Sequence, residues 1–443
     1  MNMFWVELIL VLAIIFLGVR KGGTFLAMAG GVGMLIMTFF FHVTPADPPV
    51  TVILIMIAVI VAAATMQACG GLDFLVRIAE KILRRNPRMI TVLAPVVAYI
   101  FTFMCGTGHI IYSLLPVINE ISIETGVRPE RPISASIIAS QQAITACPIS
   151  AATVGILAFM AGATNYKTVN IFTLLVVCIP ATLIGTVACA LAVMKKGKEL
   201  AEDPEFQARV ASGQVQTLVK NENAAEVKTT KEAKISVAVF LVAMVGIVLL
   251  GAVSALVPTL SDGSKLPLTT VIEIFMLVAA AVTVLITKLD SNKVLDQPVF
   301  KTGMFAVVLA FGLCWLVNTF IADQSSFITD NMSVLTNEHP WIYIIAVFIV
   351  GAITTSQSSS TMIRVPIGIA LGLPANIIVA GWIACSSNYF IPASGQCVAA
   401  IAFDTAGTTK IGKYVLNHSY MLPGLVCTVV SVVSAILIGA VVF

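Results

Sequence analysis

Of the 443 residues, 58% are hydrophobic and only 11% are charged, with a formal net charge of +3. That balance, with a mean hydropathy of +1.01, excludes a soluble globular chain and implies a polytopic, all-α membrane protein. The apolar runs have helix length, not the alternating pattern of an outer-membrane barrel. No basic patch with interleaved aromatics suggests nucleic acid.

Residues 3–19 form the first apolar run. They lack a basic leader and a small-residue cleavage site, and Arg20 and Lys21 follow, so the run reads as a retained helix and not as a signal peptide. Further spanning runs are expected at 22–41, 50–69, 133–160, 169–194, 235–257, 268–287, 302–320, 376–403 and 417–443. Residues 71–84 set apolar side chains at helical spacing beside charges. This predicts an amphipathic helix on the inner surface, acting as an anchor or as a link between fixed and moving parts. Segments 89–123 and 340–373 each hold two short apolar legs around a polar tip and are expected to be re-entrant hairpins. If each leg crosses instead, every loop keeps its side.

The loop 195–234 is polar, of mixed charge, and reads as a solvated cytoplasmic linker with a helical patch near 201–210. It separates a half at 1–194 (hairpin 89–123, broken helix 133–160) from a half at 235–443 (hairpin 340–373, broken helix 376–403). With the amino terminus outside, all but three of the 25 Lys and Arg residues fall in inner loops. The exceptions are Lys167 and Lys265 outside and Arg364 within a membrane segment. Both termini are therefore expected on the periplasmic side of a bacterial inner membrane, and the two halves have opposite topology.

The halves also share a motif. Pro148-Ile149-Ser150 is followed by Ala158-Phe159, and Pro392-Ala393-Ser394 by Ala402-Phe403, at identical spacing. Ser140-Gln141-Gln142 and Ser386-Ser387-Asn388 lie just upstream. Proline removes an amide donor and clashes with the preceding turn, so both spans should break. A break exposes unpaired N–H groups, which suit an anion. The hairpin tips, Gly106-Thr107-Gly108-His109 and Gln357-Ser358-Ser359-Ser360-Thr361, offer similar ends. Matched polar interruptions in two inverted halves are the mark of a secondary transporter's binding site.

The candidate wall is therefore Thr107, Gly108 and His109, then Gln357, Ser358, Ser359, Ser360 and Thr361, with Ser150 and Ser394 at the breaks and Gln142 and Asn388 upstream. Arg364, costly at membrane depth, is the candidate partner of a carboxylate, against snorkelling or pairing with an acid. His109 is a ligand donor, a proton site or a tip-stabilising side chain. Against all of this stands the possibility that hydroxyls bond back to their own backbone and that the prolines only kink.

The nine cysteines form no CxxC or Cys/His cluster and read as packing residues. No cofactor or metal site is expected. Phosphate-loop, GxSxG and HExxH motifs are absent, which argues against ATP-driven transport and embedded hydrolase chemistry. The rival function is a cation/proton antiporter, which calls for carboxylates at the tips or breaks. Glu7, Glu120, Glu273 and Asp404 lie elsewhere. A sensory or scaffold protein without turnover is a third possibility.

Residues 140–146 (Ser-Gln-Gln-Ala-Ile-Thr-Ala), 147–152 (Cys-Pro-Ile-Ser-Ala-Ala), 106–109, 355–361 and 388–395 (Asn-Tyr-Phe-Ile-Pro-Ala-Ser-Gly) resemble the anaerobic C4-dicarboxylate transporters of the Dcu A/B family. The resemblance runs from Leu8 to the carboxyl end and is weakest over 195–234. It implies an inner-membrane exchanger of fumarate, malate, aspartate and succinate within the ion transporter superfamily. It also implies an elevator-type motion, a substrate site at paired hairpins and broken helices, homodimers in elevator relatives, and a membrane sensor kinase as partner of some members.

Overall fold

The computed structural model describes residues 3–21, 24–161, 166, 168–212, 229–324, 326–327, 338–353, 357–391, 394–411 and 417–443. Two expected motif residues, Pro392 and Ala393, and the start of the second tip, Thr355 and Ser356, lie outside the described residues, as does most of the loop after 212.

The apolar runs fold as helices. By length and composition six helices among the described residues are able to cross a bilayer, or seven if Ile53–Ala68 and Gly71–Arg85 count as one bent span. That pair meets at 70°, so the amphipathic helix turns away from the direction of the spanning one. The exterior is apolar: Val441 is 88% exposed, Leu285 77% and Phe39 73%. Water would penalise such a surface, whereas hydrocarbon accepts it. The protein is a multi-pass membrane protein.

The helices form two groups. An outer group packs Val50–Ala68 against Leu268–Thr287 and Pro298–Leu309, and Lys231–Ala252 against Leu268–Thr287. Within it, Phe25–Leu35 meets a π-helical stretch at Ala310–Cys314 so closely that a Cβ on Gly312 would stand 2.0 Å from the Ala27 carbonyl oxygen. Small residues permit this approach where no hydrophobic force drives helices together.

The inner group is built on Ile171–Val193 packed along Met421–Val442. Around this pair the contacts are reciprocal. The helix after the first break, Ala151–Ala161, packs on the second leg of the second hairpin, Gln357–Ala370. The helix after the second break, Gly395–Phe403, packs on the second leg of the first hairpin, Ile111–Glu124. Each break is thus followed by a helix that packs on a segment distant in the chain. Glu130–Ala146 is enclosed on nearly all sides and carries Ser134, Ser136, Ser140, Gln141, Gln142 and Thr145, so its polar groups face protein and not lipid.

The start of the loop after Val193 is docked. Arg128 pairs with Glu130 at 2.8 Å and with Asp203. Arg131 takes Glu199 at 2.6 Å, and Lys196 reaches Glu130 at 2.9 Å. Asp203 caps the helix Pro204–Ala211, and Glu205 pairs with Lys410 beyond the second break. The expected helical patch therefore sits against the ends of both broken helices.

Gly312→Val puts methyl groups into backbone and should cost about 1–3 kcal/mol, read as a lowered melting temperature in detergent. Burial alone would raise the Asp203 carboxyl, but the Arg128 guanidinium and the amides of Glu205 and Phe206 outweigh it and hold it below its ordinary value of 3.8. Its contribution is present above 3.8 and is lost as pH falls through the lower folded value. Asp203→Asn should reduce stability at neutral pH and flatten the acid limb of a melting-temperature profile.

Candidate functional site

The first tip follows from two glycines with different duties. Ile90–Cys105 ends at Gly106, whose φ of +69° makes the left-handed cap, with its N–H donating to the Thr102 carbonyl at 3.0 Å. Thr107 is extended, and its hydroxyl accepts from the His109 amide at 3.3 Å. A short 3-10 turn, Gly108–Ile110, leads into Ile111–Glu124. Gly108 needs no special φ; it needs space. A Cβ there would lie 2.6 Å from Gln396 Nε2, which donates to the Gly108 carbonyl at 2.8 Å. The His109 ring stacks on Tyr112, centroids 5.9 Å apart.

Glu130–Ala146 stops before Pro148, and helix resumes at Ala151. Ser150 accepts from the Thr153 amide at 3.1 Å and donates to the Ile144 carbonyl at 2.7 Å, a carbonyl that the break leaves without its helical donor. In the second half a 3-10 run, Ala384–Tyr389, follows Ala375–Ile383, and helix resumes at Gly395. Ser394 caps it, accepting from the Cys397 amide at 3.3 Å. Both motif serines therefore cap the N–H group three residues on.

At the second tip, Gln357 is the first described residue and is helical. Its side-chain Nε2 donates to the Gln141 carbonyl and to the Ser386 hydroxyl, each at 2.8 Å, tying the tip to both broken segments. Thr361 is held in structure: its hydroxyl donates to the Gln357 carbonyl at 2.9 Å and accepts from Trp382 Nε1 at 2.8 Å. Ser360 is buried, and the side chains of Ser358 and Ser359 lie outside the described residues. Arg364 is 2% exposed and lies between the hairpin legs and the 3-10 run. Its position is marked by Gly351, where a Cβ would meet Ser387 Oγ at 2.0 Å and Arg364 Nη2 at 3.0 Å.

A cavity of about 290 Å3 opens where these pieces meet. Of the expected residues, Thr107, Gly108, His109, Gln357, Asn388 and Ser394 line it. Gln142, Ser150, Ser360, Thr361 and Arg364 do not; they form the layer behind it or cap a helix. Reading the sequence missed Gln141, Tyr112 and Gln396, which also line the wall, and the contribution of the outer group through Met56, Val59, Ile60, Ala63, Thr302 and Gly303. Helical spacing alone does not choose between Gln141 and Gln142 on a helix buried all round. Gln396 escaped because its counterpart at the matching distance from Pro148 is Ala152.

No carboxylate, Lys or Arg lines the cavity among the described residues. Three helical segments begin on its wall, at Gly108, Ala151 and Gly395, and the described part of a fourth, Gln357–Ala370, reaches it at Gln357. Each of the three starts carries partial positive charge and unpaired amide donors at that end. The arrangement is a small anion cradle without a formal charge in its lining.

The family model described as "Anaerobic c4-dicarboxylate membrane transporter" matches residues 3–443. The chain belongs to the DcuA/DcuB family. It is 38% identical to the anaerobic C4-dicarboxylate transporter DcuB of Escherichia coli over 97% of both chains. It is also 38% identical to the C4-dicarboxylate transporter DcuA of Wolinella succinogenes over 96% of both. Among solved structures, the fold resembles MtrF of Neisseria gonorrhoeae, with a TM-score of 0.55 at 14% identity, covering 92% of this chain and 83% of that one. Family membership makes this chain a membrane transporter and not an enzyme.

The close contact at Gly108 is open to a test. Gly108→Ala should displace the Gln396 amide from the Gly108 carbonyl and lower stability by about 1–3 kcal/mol. The double variant with Gln396→Ala should be less than additive in thermal unfolding, because one contact carries both losses.

Proposed function

We propose that the chain exchanges C4-dicarboxylates, among them fumarate, malate, aspartate and succinate, across a bacterial inner membrane, with both termini on the periplasmic side. The observation that carries this is the meeting of three helix N-termini and the second tip at Gln357 around a cavity with no carboxylate in its described lining. An anion gains from each of those ends, and a dianion with a carboxylate at each end fits a cradle made of two opposed tips and two opposed breaks. A volume of about 290 Å3 lies near the small end of ligand cavities, about 300 Å3. The names of the family and of its relatives point to the same substrate class.

In the proposed mechanism, Thr107, Gly108 and His109 hold one carboxylate from the first tip, and Gln357, Asn388 and Ser394 hold the other. Ser358 and Ser359 belong to the same tip. Arg364, in the layer behind Asn388, supplies positive potential and not a direct bond; Gln142, Ser150, Ser360 and Thr361 position the wall. The hairpins are re-entrant, the halves at 1–194 and 235–443 are inverted repeats, and the inner group carries the guest past the outer group. Exchange follows because the empty cradle, rich in uncompensated positive potential, crosses poorly, whereas the loaded one is neutralised. A cation/proton antiporter would need anionic ligands where this wall presents amides, hydroxyls and helix N-termini.

Counterflow of labelled succinate in proteoliposomes tests this. Loaded vesicles should accumulate label, and vesicles without internal dicarboxylate should not. Arg364→Gln should slow exchange by on the order of tenfold or more with the protein still inserted and folded. Rapid net efflux without counter-substrate, or cation flux indifferent to dicarboxylate, would sink the proposal.

A further inference from the structure

Helix Gly71–Arg85 presents three rows of side chains, each with four-residue spacing. Leu75, Ala79 and Leu83 are buried against the body. Beside them Phe74, Ile78 and Ile82 continue the apolar arc; Phe74 is half-buried against the body, whereas Ile78 is 37% exposed and Ile82 39%. Beyond that row stand Arg77, Lys81 and Arg85. The helix runs at 70° to the spanning helix Ile53–Ala68, so these rows lie along a membrane surface and not through it.

The cations differ sharply in their partners. Arg84, on the next row, is satisfied by Glu80 and Glu120, both at 2.9 Å, and by Glu124 at 3.3 Å. Those three acids are thereby engaged. Among the described residues, Lys81, Arg85 and Arg88 have no carboxylate partner, and Arg77 reaches only the Thr229 hydroxyl at 3.2 Å. Asp73 is the remaining acid of the helix and sits in its first turn, away from Lys81 and Arg85. An uncovered hydrocarbon row bordered by unpaired cations matches one ligand chemistry: an acyl chain that ends in a phosphodiester.

We infer that this face, made by Phe74, Ile78 and Ile82 with Arg77, Lys81 and Arg85, seats an anionic phospholipid. The acyl chain lies along the isoleucines and the phosphate against the cations. A zwitterionic lipid fits the apolar row equally but cancels the attraction at the cationic one, so the surface selects by headgroup charge.

The test uses the full chain in detergent, offered phosphatidylglycerol and phosphatidylcholine of the same chain length, with retained lipid counted by mass. The native protein should retain phosphatidylglycerol in preference. The variant with Arg77→Gln, Lys81→Gln and Arg85→Gln should lose that preference by about tenfold or more, with phosphatidylcholine retention unchanged. Arg84→Gln should lower thermal stability and keep the preference. If the triple variant does not fold, Lys81→Gln and Arg85→Gln taken singly should each step the preference down. Equal retention of both lipids by the native protein, an undiminished preference in the variants, or displacement by an equal concentration of inorganic phosphate would overturn the assignment.

Discussion

Main chain in hydrocarbon has no water to fall back on, so every peptide group that leaves a helix must find a partner in the protein. The rest of this structure follows from that. The chain breaks helix at residues 147–150 and again before Gly395, and it turns at Gly106. Cys147, Ile149 and Ser150 at the first break are fully buried, and Ser394 at the second is buried too. The reciprocal packing of Ala151–Ala161 on Gln357–Ala370 and of Gly395–Phe403 on Ile111–Glu124 is thus a solvation requirement before it is a symmetry. Serines complete it: Ser150 and Ser394 each satisfy an orphan amide, and Ser150 also gives a donor to the Ile144 carbonyl.

Once those demands are met, what remains at the centre is a surplus of donors. Helix starts outnumber helix ends around the cavity, and the side chains between them are neutral. The two halves are not equivalent there. Gln357 and Gln396 both come from the second half and both donate to main-chain carbonyls of the first, Gln141 and Gly108. The first half returns no such bond from Gln142, which sits behind the wall. The cradle is therefore drawn shut mainly by one half, although both halves furnish it.

Much of this was legible in the sequence, for physical reasons. Proline followed by serine at membrane depth admits few structures, so the matched Pro-x-Ser pairs located both breaks and their caps. What stayed hidden depends on rotation about a helix axis. Glu130–Ala146 is polar and buried on all sides, so no stripe distinguishes Gln141 from Gln142. Arg364 announced itself by its cost, but sequence gives no depth normal to the helix, and the structure sets it among Gly351 and Ser387 and not in the lining. Gln396 lacked a repeat partner, and the outer group's share of the wall is apolar but for Thr302.

Where the outer group meets the cavity it offers chiefly Met56, Val59, Ile60, Ala63 and Val299, with Thr302 alone bearing a hydroxyl. Hydrocarbon contact has no preferred register: a displacement of one methyl group trades one weak attraction for another of the same kind. Hydrogen bonds knit the inner pieces to each other, whereas this border has the character of a greased bearing.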